Sequence, residues 1–352
     1  MNQHGGYTGD NKNILDFSIN INPLGMPQTI RQALHSALDE VDIYPEIDGK
    51  SAKHALAQAL GCYENQLILG NGASELIYLF PRSITPGKAL ILSPTFNEYK
   101  RALTLNNWTY TPFYLKKENG FRIEVEELVK AYESHRPDVV YICNPNNPTG
   151  TLYSLEVMKK LIGSLPDSVL WFIDESFIEF TEEESCDQLV RDGWKNIFIL
   201  RSLTKFFALP GLRLGYAIAS KAMITKLNRY KEPWTINTLA LVAAEKIYDD
   251  SEYIQKTRDY IRKERQRVFR EFQNINGIIP YPSGADFHLI ALENNNTDWL
   301  LKALNEKNIH IRTCEDFHGL EGTHFRVAIK SIEDNNRLIK ALREVMEASH
   351  EA

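Results

Sequence analysis

Short apolar runs alternate along the chain with longer stretches whose apolar residues recur every three to four positions. The runs "KALILS" (88–93), "DVVYIC" (138–143), "SVLWFID" (168–174), "NIFIL" (196–200) and "LRLGYAIA" (212–219) predict strands. Apolar residues on both faces of such short strands predict a buried, mostly parallel sheet between helices. "SLEVMKKLIGSL" (154–165) predicts an intervening helix that starts at Ser154 and Glu156. After Ser220 the pattern changes. A charged helical stretch over 254–272 precedes "FHLIAL" (287–292), "TDWLLKALNEKN" (297–308), "IHIRTC" (309–314) and "HFRVAIK" (324–330), which read as strand, helix, strand and strand. The first forty residues hold too few apolar side chains for a core of their own. The pattern therefore predicts an arm over 1–37 that joins the small domain or a neighbouring subunit, a large α/β domain over 38–245, and a smaller α+β domain over 246–352.

Composition narrows the function classes. The 352 residues are 43% hydrophobic and 24% charged, ordinary for a globular protein, and the net charge of −6 argues against a nucleic-acid surface. Cys62, Cys143, Cys186 and Cys314 form no CxxC pair, so neither a zinc site nor a disulfide framework is expected. No apolar run approaches the roughly 20 residues of a membrane span, and the polar N-terminus lacks a signal-peptide core, which points to the cytoplasm. No strand–GxGxxG–helix unit suggests a nicotinamide enzyme.

The candidate chemistry gathers at strand ends, where ligands of parallel α/β sheets bind. "VLWFID" ends on Asp174, "VVYIC" runs into the turn "NPNNPTG" (144–150), and "IFIL" runs into "RSLTK", which carries Lys205. One cofactor asks for an acid, an amide and an amine together: pyridoxal 5′-phosphate. Its aldehyde needs a lysine, its ring nitrogen a carboxylate, its phenolic oxygen an amide donor. Its phosphate needs hydroxyls, a guanidinium and backbone N–H groups, for which Ser202, Thr204 and Arg213 are candidates. A second part of that cradle is "LGNGASELIY" (69–78), a glycine turn opening a helix, with the N–H groups of Gly72, Ala73 and Ser74 aimed at the anion. Phe96, in "SPTFNEY" after a strand end, is placed to stack on the pyridine ring.

"NPNNPTG", "DES", "RSLTKFFALPGLRLGY" and "FRVAIK" occur in the order found in fold-type I pyridoxal-phosphate enzymes, and nearly the whole chain resembles them. The similarity is to the branch that holds histidinol-phosphate aminotransferases and the threonine-phosphate decarboxylases of cobalamin biosynthesis. It implies that Lys205 holds the cofactor aldehyde, that Asp174 pairs with the ring nitrogen, and that Asn147 binds the phenolic oxygen and touches the substrate carboxylate. It implies that Ser202, Thr204 and Arg213 hold the cofactor phosphate and that Arg326 grips the substrate carboxylate. Tyr44, in "DIYPE", resembles a tyrosine that reaches the phosphate from a second subunit, which implies a homodimer with shared sites.

Within that branch, "HGG" (4–6) followed by "LDFSININPLGMP" (15–27) is similar to the opening of the decarboxylases. His4, Gly5 and Asn20 would then bind a substrate phosphate, together with Arg312 of "IHIRTC". Phe177 stands where related aminotransferases commonly carry tyrosine. The activity implied is decarboxylation of L-threonine O-3-phosphate. Phosphoserine decarboxylation, histidinol-phosphate amino transfer and a non-catalytic binding role are the alternatives.

Overall fold

The computed structural model describes residues 5–294 and 296–350, so His4 lies outside the described residues. The strands in chain order are β1 (Leu15–Asp16), β2 (Leu67–Asn71), β3 (Lys88–Ser93), β4 (Thr109–Tyr114), β5 (Val139–Cys143), β6 (Leu170–Asp174), β7 (Ile197–Ser202), β8 (Leu214–Ala219), β9 (Ile278–Pro280), β10 (Phe287–Leu292), β11 (Ile309–His310), β12 (Arg312–Thr313) and β13 (His324–Ala328).

Seven of them form the principal sheet, in the order β2-β8-β7-β6-β5-β3-β4. Its inner pairs β3–β4, β3–β5, β5–β6 and β6–β7 are parallel. β8 runs antiparallel to both β7 and β2. "LRLGYAIA" thus reverses the parallel direction expected of it. The link from β7 is too short for the crossover that a parallel partner needs. The consecutive apolar residues divide between two cores. Leu90, Ile142, Trp171 and Ile173 pack on one face, and Ile91, Tyr141, Phe172 and Phe198 on the other. On the second face Phe172 stacks between Tyr141 and Phe198, at ring separations of 4.6 and 5.1 Å.

A second, antiparallel sheet has the order β12-β13-β10-β9. "IHIRTC", expected as one strand, is broken at the buried Ile311. β11 pairs in parallel with β1 of the arm, whereas β12 pairs with β13. The break has a consequence for chemistry, because it sets Arg312 directly across from Arg326.

The N-terminal segment touches both the second sheet and the segment that carries Lys205. The Phe17 amide donates to His310 O at 2.7 Å and its carbonyl accepts from Ala328 N at 2.9 Å, which fixes it to the second sheet. Five residues on, the Asn22 amide donates to Lys205 O at 3.1 Å. The Asn22 side chain then reaches Phe206 O, Tyr253 Oη and Thr257 Oγ1. The helix Gln28–Ala37 packs on the helix Thr238–Lys246. The arm therefore straps the second sheet to the segment that carries Lys205. Among the described residues no helix is long and apolar enough to cross a membrane, and no cluster of acids, histidines and cysteines could hold a metal ion.

Candidate active site

Three strand ends build the floor of a cavity. Asp174, the last residue of β6, sits in register with Cys143 of β5 and Leu200 of β7. Its carboxylate accepts from Tyr99 Oη at 2.6 Å and from Ser176 N at 2.8 Å. After β5 the chain turns through Asn144, whose side chain closes the loop by bonding both backbone groups of Tyr153. Asn146 pins the same loop to Pro94 and Thr95. That double fastening holds Asn147, buried, at the cavity wall. After β7 one helical turn, Leu203–Phe206, presents Lys205. Its Nζ donates to Ser202 Oγ at 3.1 Å and lies over the Phe177 ring at 5.0 Å. Burial lowers the basicity of this amine, against Asp174, which raises it. A lysine held towards its neutral form is suited to attack an aldehyde.

Ala73, Ser74, Ser202, Thr204 and Arg213 line the same cavity. Ser202 and Thr204 share a hydroxyl hydrogen bond of 2.9 Å. Gly72 needs correction. Its N–H is taken by Arg213 O at 2.8 Å, so it does not point at an anion. Only Ala73 and Ser74 of that turn line the cavity. Gly72 serves instead by its missing side chain, because it adopts φ +72° and a Cβ there would lie 2.4 Å from Arg213 Nη2. Gly215 plays a like part from β8, where a Cβ would meet Ala73 N at 2.6 Å. Gly72→Ala is therefore expected to displace the Arg213 guanidinium and weaken cofactor-phosphate binding about tenfold, the scale of one charge-assisted hydrogen bond. Titration of the apo-protein with pyridoxal phosphate, followed by absorbance, checks this.

The donor set fits pyridoxal phosphate. A carboxylate, an amine, hydroxyls, a guanidinium and a helix N-terminus line one cavity, the groups that the molecule's nitrogen, aldehyde and phosphate require. Phe96 lines the same cavity, edge-on to Tyr99 at 5.8 Å.

A second cavity adjoins the first through Lys205, Thr204, Asn147, Phe96 and Phe177. Gly5, Asn20, Arg312 and Arg326 line it. Arg326 is buried, and burial lowers its basicity to about 10. Its guanidinium donates to Asn147 Oδ1 at 2.5 Å and to Ser18 O at 2.8 Å, and lies over the Phe287 ring at 5.2 Å. Asn147 thus touches Arg326 on one side and the Lys205 cavity on the other. Arg312, expected on an exposed strand if it had no role, is only 6% exposed. It donates to Thr313 O at 2.8 Å and pairs with Asp316 at 2.6 Å. The Asn20 Oδ1 is buried without a hydrogen-bond partner among the described residues. Gly5 passes so close to Ser18 that a Cβ would lie 2.3 Å from its carbonyl oxygen.

Tyr44 is not brought to this site. It is 84% exposed and contacts Trp234, with ring centroids 5.6 Å apart. Three contributors lay outside the sequence reading. Tyr99, one turn beyond Phe96, holds the Asp174 carboxylate. Asp316 lies four residues beyond Arg312, a spacing that brings the two together. Asn97 donates to the Asp316 side chain at 3.0 Å from the opposite wall.

The family model for aminotransferase class I and II matches residues 12–342. The threonine-phosphate decarboxylase of Salmonella typhimurium is 34% identical over 337 residues, covering 95% of this chain and 91% of that protein. The crystal structure of a histidinol-phosphate aminotransferase from Clostridium acetobutylicum superposes with a TM-score of 0.89 at 32% identity, over 95% of this chain and 100% of that one. That of an L-threonine-O-3-phosphate decarboxylase from Porphyromonas gingivalis gives 0.84 at 25% identity, over 94% and 99%. With the strand-end acid, amine and phosphate cradle described above, these matches identify the chain as a pyridoxal-phosphate-dependent enzyme of fold type I that belongs to the aminotransferase class I and II family.

Proposed function

We propose that this enzyme decarboxylates a phosphorylated hydroxy amino acid, with L-threonine O-3-phosphate giving (R)-1-amino-2-propanol O-2-phosphate and carbon dioxide. The observation that carries the reading is the placement of two guanidinium groups, Arg312 and Arg326, on facing strands of the cavity that also holds Lys205. A substrate with an anion at each end fits two such anchors.

Bound pyridoxal phosphate supplies an electron sink for the substrate's α-carbon. Asp174 keeps a proton on the ring nitrogen, and Tyr99 holds Asp174 in place. Arg326 and Asn147 take the substrate carboxylate; Arg312 and Asn20 take its phosphate, with Gly5 and His4 assigned there by resemblance. Two anchors at opposite ends restrict rotation about the substrate's Cα–N bond, and that rotation selects which bond on Cα breaks. The carboxylate would then leave as carbon dioxide, its bonding pair taken up by that sink, and Lys205, as the ammonium, would return a proton to Cα. Phosphoserine differs by one methyl group, worth about 1–3 kcal/mol in a pocket.

The same reading makes the enzyme a cytoplasmic homodimer whose product serves the cobalamin side arm. The exposed strip of Val41, Ile43, Tyr44 and Ile47 supports a subunit contact, through which Tyr44 would reach the second site. A second reading, histidinol-phosphate amino transfer, draws support from the structural likeness to that aminotransferase. Separate incubation of the holoenzyme with phosphothreonine, phosphoserine and histidinol phosphate tests the choice. Carbon dioxide released from phosphothreonine without any keto acid supports decarboxylation. Turnover of histidinol phosphate alone, dependent on 2-oxoglutarate, overturns it.

A further inference from the structure

The turn before β10 carries an acid for which the reaction above has no use. Asp286 is 0% exposed, and neither carboxylate oxygen has a hydrogen-bond partner among the described residues. A buried, unpartnered carboxylate is tolerated only beside positive charge or with its proton on. Its backbone is firmly held. The Asp286 carbonyl accepts from Ile329 N at 2.7 Å, and Arg265 Nη1 grips the carbonyls of Gly284 and Ala285 at 3.0 and 3.1 Å. The neighbouring Phe287 lies between the cations of the site. Arg326 sits over its ring at 5.2 Å, its edge meets Phe177 at 5.2 Å, and Lys205 sits over Phe177 at 5.0 Å. The charges acting on Asp286 come from each packed element: Arg326 on β13, Lys330 just beyond it, Lys205 after β7, and Arg265 on the helix Ser251–Gln273. Asp174 and Arg213 act in turn on Lys205, and Asp16 and Asp334 on Lys330.

We infer that Asp286 is an electrostatic positioning residue, a buried carboxyl group whose charge state sets how tightly Arg326 grips the substrate carboxylate. The inference rests on the proposed decarboxylation for the identity of the gripped acid. Protonated, Asp286 is neutral and leaves the Arg326 field to the substrate. Ionised, it opposes an incoming carboxylate and raises the basicity of Lys205. Burial lifts its carboxyl to about 7, even though Arg326 and Lys205 both act to lower it. The sign follows. With its affinity for protons raised in the fold, Asp286 is neutral below that pH, so substrate binding is tightest there and weakens as pH rises through it. The stability it contributes is present at low pH and is lost as pH rises from the ordinary carboxyl value, about 4, to about 7.

Asp286→Asn keeps the shape and removes the charge. Wild-type KM for phosphothreonine is expected to rise about tenfold between about pH 6 and 8.5, whereas in the variant it stays at its low-pH value with little change in kcat. The visible absorbance of the bound cofactor is expected to titrate at lower pH in the variant, because Lys205 has lost a stabilising anion. An infrared difference spectrum of wild-type holoenzyme labelled with ¹³C-carboxyl aspartate should lose one carboxylic-acid band over the same range, and this needs no variant to fold. A variant KM that follows the wild-type pH profile overturns the inference, as does a wild-type spectrum with no titrating acid band. If phosphothreonine is not turned over at any pH, the functional reading fails, and the absorbance and infrared titrations still decide the role of Asp286.

Discussion

Lys205→Ala is expected to give a folded protein with turnover reduced at least about 10⁴-fold. On the proposed mechanism the substitution removes both the amine that holds the cofactor aldehyde and the carrier of the proton for Cα. Among the described residues Lys205 is the one lysine that lines either cavity, so no other described lysine stands in for it. The fold has little to lose. Burial already lowers the basicity of Lys205, so the native state works against its charge rather than drawing stability from it. Its hydrogen bond to Ser202 Oγ is a single contact, and Ser202 keeps Thr204 as a partner. A melting temperature equal to or above that of wild type, with carbon dioxide release at background, is the expected pair of results. Lys205→Arg should be as inactive, because a guanidinium does not give up its proton at working pH and cannot attack the aldehyde. The visible band at about 420 nm should be absent from both variants. Retention of more than about 1% of wild-type turnover by Lys205→Ala would remove Lys205 from the chemistry.

Much of this architecture is legible in the chain because its signals are local. "KALILS" and "FHLIAL" coincide with β3 and β10, since a strand buried on both faces needs apolar residues at successive positions. Ser154 caps its helix through Val157 N, as its place before an apolar-periodic run implies. The gathering of an acid, an amide turn and a lysine is legible for a related reason, because each lies at the end of a strand or within a few residues beyond it. What escapes the sequence depends on partners far along the chain. The break in "IHIRTC" arises because β1 competes for its first half and β13 for its second. The N–H of Gly72 is claimed by a carbonyl of Arg213, which no local pattern announces. Tyr99 reads as one more aromatic of a core-facing helix until Asp174 is seen beneath its hydroxyl. Asp286, in "SGADF", reads as an ordinary turn acid. Only the packing of the helix Ser251–Gln273 and of β13 around it reveals a charge without partners.

Arg312→Ala is expected to lower kcat/KM for phosphothreonine about 100- to 1000-fold while leaving the affinity for pyridoxal phosphate within about twofold. The size follows from the loss of a buried guanidinium to a phosphate, a truncation worth about 2–5 kcal/mol. The selectivity follows from geometry. Ser202, Thr204 and Arg213, the proposed cradle for the cofactor phosphate, line a cavity that Arg312 does not. Part of the loss belongs to Asp316, which now faces the incoming anion without Arg312 and keeps its hydrogen bond from Asn97. The double variant Arg312→Ala/Asp316→Asn separates the two contributions. If anion repulsion matters, the double variant recovers part of the loss, and the remainder measures what the guanidinium itself contributes. Arg312→Lys should recover less than a charge count suggests, since a point charge cannot give the paired donors of a guanidinium fork. Arg326→Ala makes the contrast. It should weaken any substrate with an α-carboxylate, phosphorylated or not, because its guanidinium stands beside Asn147 at the junction of the two cavities. An Arg312→Ala enzyme that loses phosphorylated and unphosphorylated amino acids alike would show that Arg312 supports the cavity wall through Thr313 and Asp316. The far-end anchor would then have to be sought elsewhere.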